Sequence, residues 1–137
     1  MQHNFTGTGV ALVTPFFESG EVDLASLELL LEHVRAKGKG VDYMVVLGTT
    51  GETATLLDEE KEIIFSFVQK KNKGKLPLVA GIGGNNTEKV AEEMRAFSHE
   101  DYEAFLSVSP YYNKPSQEGI IQHYSALAKA SKLPIIV

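Results

Sequence analysis

No cysteine occurs in the 137 residues. That excludes a disulfide framework, a thiol nucleophile and every cysteine-based metal site. It also fits a reducing compartment, so a cytoplasmic location is the expectation. Tryptophan is absent too, and positive charge is scarce: 13 Lys+Arg stand against 18 Asp+Glu, a formal net charge of -5. A nucleic-acid or anionic-membrane binder needs a basic face to neutralise phosphate, so neither class is expected. No stretch approaches the roughly 18 apolar residues of a membrane span. Met1 to Phe5 carry neither the basic nor the apolar part of a secretory leader. What is present is ordinary for a single folded domain: 43 % hydrophobic and 23 % charged residues.

Short apolar runs recur along the chain. They are Val10–Val13, Tyr43–Leu47, Leu78–Ala80, Phe105–Val108 and Ile135–Val137. Each is rich in β-branched or aromatic residues and too short for a helix. None alternates cleanly with polar residues, which is the pattern of strands buried on both faces of a parallel sheet. Helical periodicity fills the gaps. Asp23 caps the first helix and Gly38 stops it; Asp58 caps the second, and Thr87 and Ser116 open the next two. The order βαβαβαβαβ predicts a parallel α/β fold.

Two architectures fit that order. Strands start about 30 residues apart, the allotment per unit in an eight-fold barrel of typically ~250 residues. On that scale the chain holds four βα units and a fifth strand, one partial barrel domain over residues 1–137. An open doubly wound sheet would instead be complete at five strands. The last run ends at Val137 with no helix behind it, which is the expectation for a barrel whose second half is missing.

In either fold, chemistry collects where strands end. After the first strand come Thr14 and Pro15. After the second comes Gly48-Thr49-Thr50-Gly51-Glu52. Two glycines bracketing two hydroxyls let backbone amides approach a carboxylate or a developing oxyanion; they also suit an ordinary turn whose threonines bond the backbone. Glu52 is either catalytic or bonded to nearby amides. After the fourth strand, Tyr111 and Tyr112 lie in a loop bounded by Pro110 and Pro115. A phenol can pass protons when a neighbouring hydroxyl completes a relay, and paired tyrosines equally anchor interfaces. Lys114 and Ser116 suit solvent and helix capping. The run Gly81-Ile82-Gly83-Gly84-Asn85-Asn86 fails the dinucleotide spacing, with Asn86 at the third glycine position, and Gly7-Thr8-Gly9 fails with Leu12 there. His3, His33, His99 and His123 are scattered without the spacing of a metal site. Lys37, Lys39, Lys70, Lys71, Lys73 and Lys75 sit where helix ends and loops favour cations. No cofactor is indicated.

Gly48-Thr49-Thr50-Gly51-Glu52 with Thr53–Leu56, and Ser109-Pro110-Tyr111-Tyr112-Asn113-Lys114-Pro115-Ser116 with Gln117–Gly119, resemble the signatures of the dihydrodipicolinate synthase family. The opening Phe5–Gly7 and Val13–Phe16 are similar to that family's first strand. The resemblance implies a (β/α)₈ barrel, usually a homotetramer of tight dimers. It implies condensation of pyruvate with aspartate-semialdehyde, on the route to diaminopimelate and lysine, through a Schiff base on a sixth-strand lysine. Thr49 matches the proton-relay hydroxyl and Thr50 the hydroxyl that binds the pyruvate carboxylate. Tyr112 matches the relay tyrosine that reaches into the neighbouring subunit's site. Tyr111 matches an interface aromatic beside the inhibitor site, where Asn85 is a further neighbour. N-acetylneuraminate lyase and keto-deoxy-sugar aldolases are the alternatives within the superfamily; they usually carry serine at the Thr49 position and lack the Tyr-Tyr-Asn-Lys-Pro-Ser run. A non-catalytic half-barrel interaction module is the alternative outside it.

Two departures accompany the resemblance. The family's Schiff-base lysine, second relay tyrosine and carboxylate-binding arginine all correspond to positions beyond Val137. The chain alone is therefore expected to lack synthase activity, and its uncovered sheet to pair with another copy or with the rest of a barrel. Lysine-inhibited members carry histidines near Asp58 and Lys61 and a glutamate where this sequence has Lys89, so weak feedback by L-lysine is expected.

Overall fold

The computed structural model describes residues 5–36 and 40–137. Strands and helices alternate: β1 (Gly9–Ala11), α1 (Leu24–Val34), β2 (Tyr43–Val46), α2 (Asp58–Asn72), β3 (Leu78–Gly81), α3 (Thr87–Ala96), β4 (Tyr102–Leu106), α4 (Gln117–Ala130) and β5 (Ile135–Ile136). All pairings between these strands are parallel, and their order in space follows their order in the chain. That order decides between the two architectures. A doubly wound sheet reverses direction at a switch point, whereas a barrel sets every new strand on the same side of the last. With no reversal among the described residues, the sheet is four βα units and a fifth strand of a (β/α)₈ barrel.

The two faces of the sheet carry different side chains. Met44, Val46, Leu78, Ala80, Tyr102 and Phe105 join Leu27, Leu31, Ile64, Val68, Met94 and Leu127 in the main core between sheet and helices. Each buried leucine or isoleucine there contributes roughly 2 kcal/mol. On the opposite face Val45, Val79 and Ala104 form a thinner layer, packed by Tyr43, Leu106 and Ile136. Among the described residues no helix is long and apolar enough to cross a membrane.

Helix starts follow local chemistry, with one shift from the sequence reading. Asp23 caps α1, its carboxylate accepting from the amides of Ala25 and Ser26. Ser116 caps α4 by accepting from Gly119 N–H at 3.1 Å. Asp58, however, is the first residue of α2 rather than its cap. Glu60 reaches back to accept from Leu57 N–H at 2.8 Å, which leaves the cap position to Leu57. Thr87 opens α3 as expected, and Asn86 before it is the cap, accepting from Lys89 N–H. Helix α1 ends at Val34, with Arg35 as its cap residue; the expected stop at Gly38, like Lys37, Lys39 and His3, lies outside the described residues.

Strand β4 starts three residues earlier than the apolar run suggested. The pairing shifts from Leu78↔Tyr102 to Val79↔Ala104, so Glu103 is an extra residue that interrupts the run. Tyr102 is buried, and its hydroxyl donates to the Phe65 carbonyl at 3.1 Å. The Phe65 and Phe97 rings meet it edge-on. Burial pushes its phenol pKa far up, so it stays a neutral core residue.

Candidate functional site

The two motifs sit at the same end of the parallel sheet, after β2 and after β4. Thr49–Gly51 form a single 3₁₀ turn. Its bonds run from Gly51 N–H to Gly48 O at 2.8 Å and from Glu52 N–H to Thr49 O at 3.0 Å. The first amides of such a turn have no partner within it, and the Thr49 and Thr50 side chains are exposed. Among the described residues neither threonine hydroxyl makes a hydrogen bond. This differs from the ordinary turn, in which threonine hydroxyls bond the backbone.

Rigid supports hold this turn from behind. Thr14, 6 % exposed, donates its hydroxyl to the Gly51 carbonyl at 2.7 Å. Gly81 at the end of β3 packs directly on the Leu47–Gly48 peptide, and a Cβ there would overlap the Leu47 carbonyl. Leu47 takes a left-handed backbone, φ 58°, and Glu52 does so at φ 55°. Both are uncommon for residues with a Cβ. The Glu52 side chain is exposed and, among the described residues, bonds no amide, contrary to the backbone-bonded reading. Thr14 was placed after the first strand by the sequence pattern but given no role; its hydroxyl there supports the turn.

The second motif is an exposed loop. Tyr112 is 95 % exposed and Tyr111 52 %. Tyr112 also adopts left-handed backbone, φ 67°, and Asn113 N–H closes a tight turn on Tyr111 O at 2.9 Å. At the loop's root, the Tyr124 hydroxyl donates to Ser107 O and lies 3.0 Å from Ser109 Oγ. No hydrogen bond joins Tyr111 or Tyr112 to Thr49 or Thr50 within the described residues. The structure brings the two motifs to one end of the sheet and leaves both tyrosine rings facing outward. Asn85 is exposed, one residue before the α3 cap.

Charges at this end lie at the starts of α2 and α3. Lys61 Nζ is 2.9 Å and Lys89 Nζ 3.8 Å from the Asp58 carboxylate. The Lys61 hydrogen bond, then the two cations, hold that carboxyl below its usual range. Glu93 lies 3.8 Å from Lys89 and is shifted upward by burial, partly offset by that lysine. Among the described residues no group of three His, Asp or Glu side chains is placed to hold a metal. Two concavities lie elsewhere. A cavity of about 180 Å³ sits at the opposite strand ends, lined by His99, Tyr102 and Leu133 among others. A groove of about 320 Å³ runs along the outer side of α2 by Ile63 and Phe67. Neither touches the threonines or the tyrosine pair.

Known proteins share this arrangement. The 4-hydroxy-tetrahydrodipicolinate synthase of Flavobacterium psychrophilum is 53 % identical over 133 residues, covering 97 % of this chain and 45 % of that protein. The crystal structure of dihydrodipicolinate synthase from Thermotoga maritima superposes with a TM-score of 0.88 at 41 % identity, over 97 % of this chain and 44 % of that one. N-acetylneuraminate lyase from Mycoplasma synoviae gives 0.85 at 30 % identity, over 96 % and 45 %. The chain thus spans less than half the length of these relatives. The model of the dihydrodipicolinate synthetase family matches residues 4–137, which takes in both motifs and every strand, and the chain belongs to that family.

Proposed function

We propose that the protein carrying this chain condenses pyruvate with aspartate-semialdehyde through a lysine Schiff base, and that residues 1–137 supply the opening half of its barrel. The observation that carries the reading is the Thr49–Gly51 turn. In a member of this family it stands at a strand's C-terminal end with both hydroxyls exposed and unspent.

The chemistry divides the labour. A lysine amine attacks the C2 ketone of pyruvate, water leaves and an imine forms. Loss of a C3 proton gives an enamine, whose C3 attacks the aldehyde carbon of aspartate-semialdehyde. Thr50 and its amide bind the pyruvate carboxylate. Thr49 and Tyr112 move the protons, with Tyr112 entering from a second subunit of a homo-oligomer, where its exposed ring finds cover. The family pattern assigns the imine-forming amine beyond Val137, and among the described residues no lysine ends a strand.

Borohydride trapping with pyruvate tests the reading. The full-length protein is expected to gain one reduced pyruvyl adduct, and residues 1–137 alone none. A stoichiometric adduct on a lysine within 1–137 would refute it. Comparing aspartate-semialdehyde with sugar-derived aldehydes as acceptor separates the synthase from the N-acetylneuraminate lyase type.

A further inference from the structure

We infer that Tyr124 is a positioning residue for Tyr112. This rests on the proposed role of Tyr112 in proton transfer. The Ser107 carbonyl can only accept, so the Tyr124 hydroxyl spends its one proton there, at 3.0 Å. The contact between Tyr124 and Ser109, also 3.0 Å, then has Ser109 as donor. The result is a directed chain, Ser109 Oγ–H to Tyr124 Oη–H to Ser107 O, in which each bond polarises the next.

Its anchor is firm at one end and joined to the loop at the other. Ser107 is buried, and its amide donates to Ile136 O at 2.9 Å, so its carbonyl is fixed to the sheet. Tyr124 is carried by α4 and packs against the main core. Ser109 lies three residues before Tyr112. Among the described residues the Ser109–Tyr124 bond is the one side-chain hydrogen bond made by residues 108–115. Tyr112 meanwhile holds a left-handed backbone, a conformation that persists only where surroundings impose it. The far end of the loop is set by the Ser116 cap on the same helix. Helix α4 therefore grips the loop at both ends, and Tyr124 supplies the grip on the strand side. A loosened loop leaves the fold intact and misplaces the phenol, and misplacement of a relay group is felt in turnover rather than in ground-state pyruvate binding.

The test uses the full-length protein. Tyr124→Phe and Ser109→Ala are expected to lower kcat about tenfold each, part of what a relay group supplies, with KM for pyruvate within about twofold of wild type. The double variant is no worse than either single one, and Ser109→Thr, which keeps the hydroxyl, retains kcat. Ser109 is half-buried, so Ser109→Ala keeps the test valid if Tyr124→Phe folds poorly. Tyr112→Phe separates the two claims. If it loses activity while Tyr124→Phe and Ser109→Ala turn over like wild type, or if Ser109→Thr fails as badly as Ser109→Ala, the positioning role is wrong and the proposed function stands. If Tyr112→Phe keeps wild-type kcat, the relay reading of Tyr112 falls first.

Discussion

Gly81→Ala is the sharpest probe of how the threonine turn is held. The new Cβ would stand 2.6 Å from Gly48 N and closer still to the Leu47 carbonyl. Carbon contacts relax at about 3.5 Å, so one side must retreat by nearly 1 Å from Gly48 N and by more from the Leu47 carbonyl. Both sides are backbone at the C-terminal ends of neighbouring strands, where no rotamer change relieves the overlap. Overpacking of this kind costs about 1–3 kcal/mol, and the upper end applies here. Alanine also restricts the unfolded chain, which returns about 0.5–1 kcal/mol. The net expectation is a loss of about 2 kcal/mol, a fall in melting temperature of roughly 6 °C for a domain of this size. Gly48→Ala is the control. Its nearest neighbour would be Val45 Cγ1 at 3.4 Å, and Gly48 has φ −67°, so little change is expected. Urea unfolding followed by circular dichroism, with slope and midpoint both fitted, measures the pair. A Gly81→Ala midpoint equal to wild type, or a Gly48→Ala variant that suffers more, would show that the turn does not lean on β3 as described.

Two further outcomes follow from charge. Burial holds the His123 imidazole, 2 % exposed and 2.8 Å from Thr87 Oγ1, below its ordinary pKa. The unfolded chain therefore binds that proton more tightly, and the stability due to a neutral His123 is present above about pH 6.5 and lost as pH falls below it. Urea midpoints at about pH 7.5 and pH 5.5 should separate more for wild type than for His123→Gln; equal separations would contradict the assignment. Feedback by L-lysine is expected to be weak in the full-length protein. Lys61 and Lys89 already occupy the Asp58 carboxylate, and Lys89 also lies against Glu93, so an incoming ammonium meets like charge. A low-micromolar inhibition constant for L-lysine would overturn this, and Lys89→Glu should strengthen inhibition.

The strand and helix sequence was legible because each strand except β4 is an unbroken apolar run between helices. Its failures have local causes. Glu103 hides the start of β4, because a charged residue at a register shift breaks the run while Tyr102 remains in the core. Glu60 takes the Leu57 amide, so Asp58 is displaced from the cap. Strand order was not legible from pattern, since right-handed crossovers satisfy barrel and doubly wound sheet alike. Thr49 and Thr50 were found by type and place. That their hydroxyls are unspent could not be read, because the competing backbone bonds depend on a turn geometry set by Thr14 and Gly81 from distant strands.

The distribution of backbone strain links the two loops more closely than hydrogen bonds do. Four non-glycine residues among those described have left-handed backbone: Leu47, Glu52, Lys73 and Tyr112. Lys73 ends α2, where that conformation is the routine way to stop a helix. The other three flank or lie within the two motifs. Each costs on the order of 1 kcal/mol, and glycine or asparagine would remove most of the cost. A turn needed only to connect β2 to α2 would gain by that exchange. At Leu47 the side chain is core and the strain redirects the chain into the threonine turn, so burial offsets the cost. At Tyr112 the ring is almost wholly exposed, and no packing within this chain compensates. The backbone is held instead by the hydrogen bonds that tie the loop to α4 at Ser109 and Ser116, and under the proposed function the exposed ring is the part offered to a second subunit.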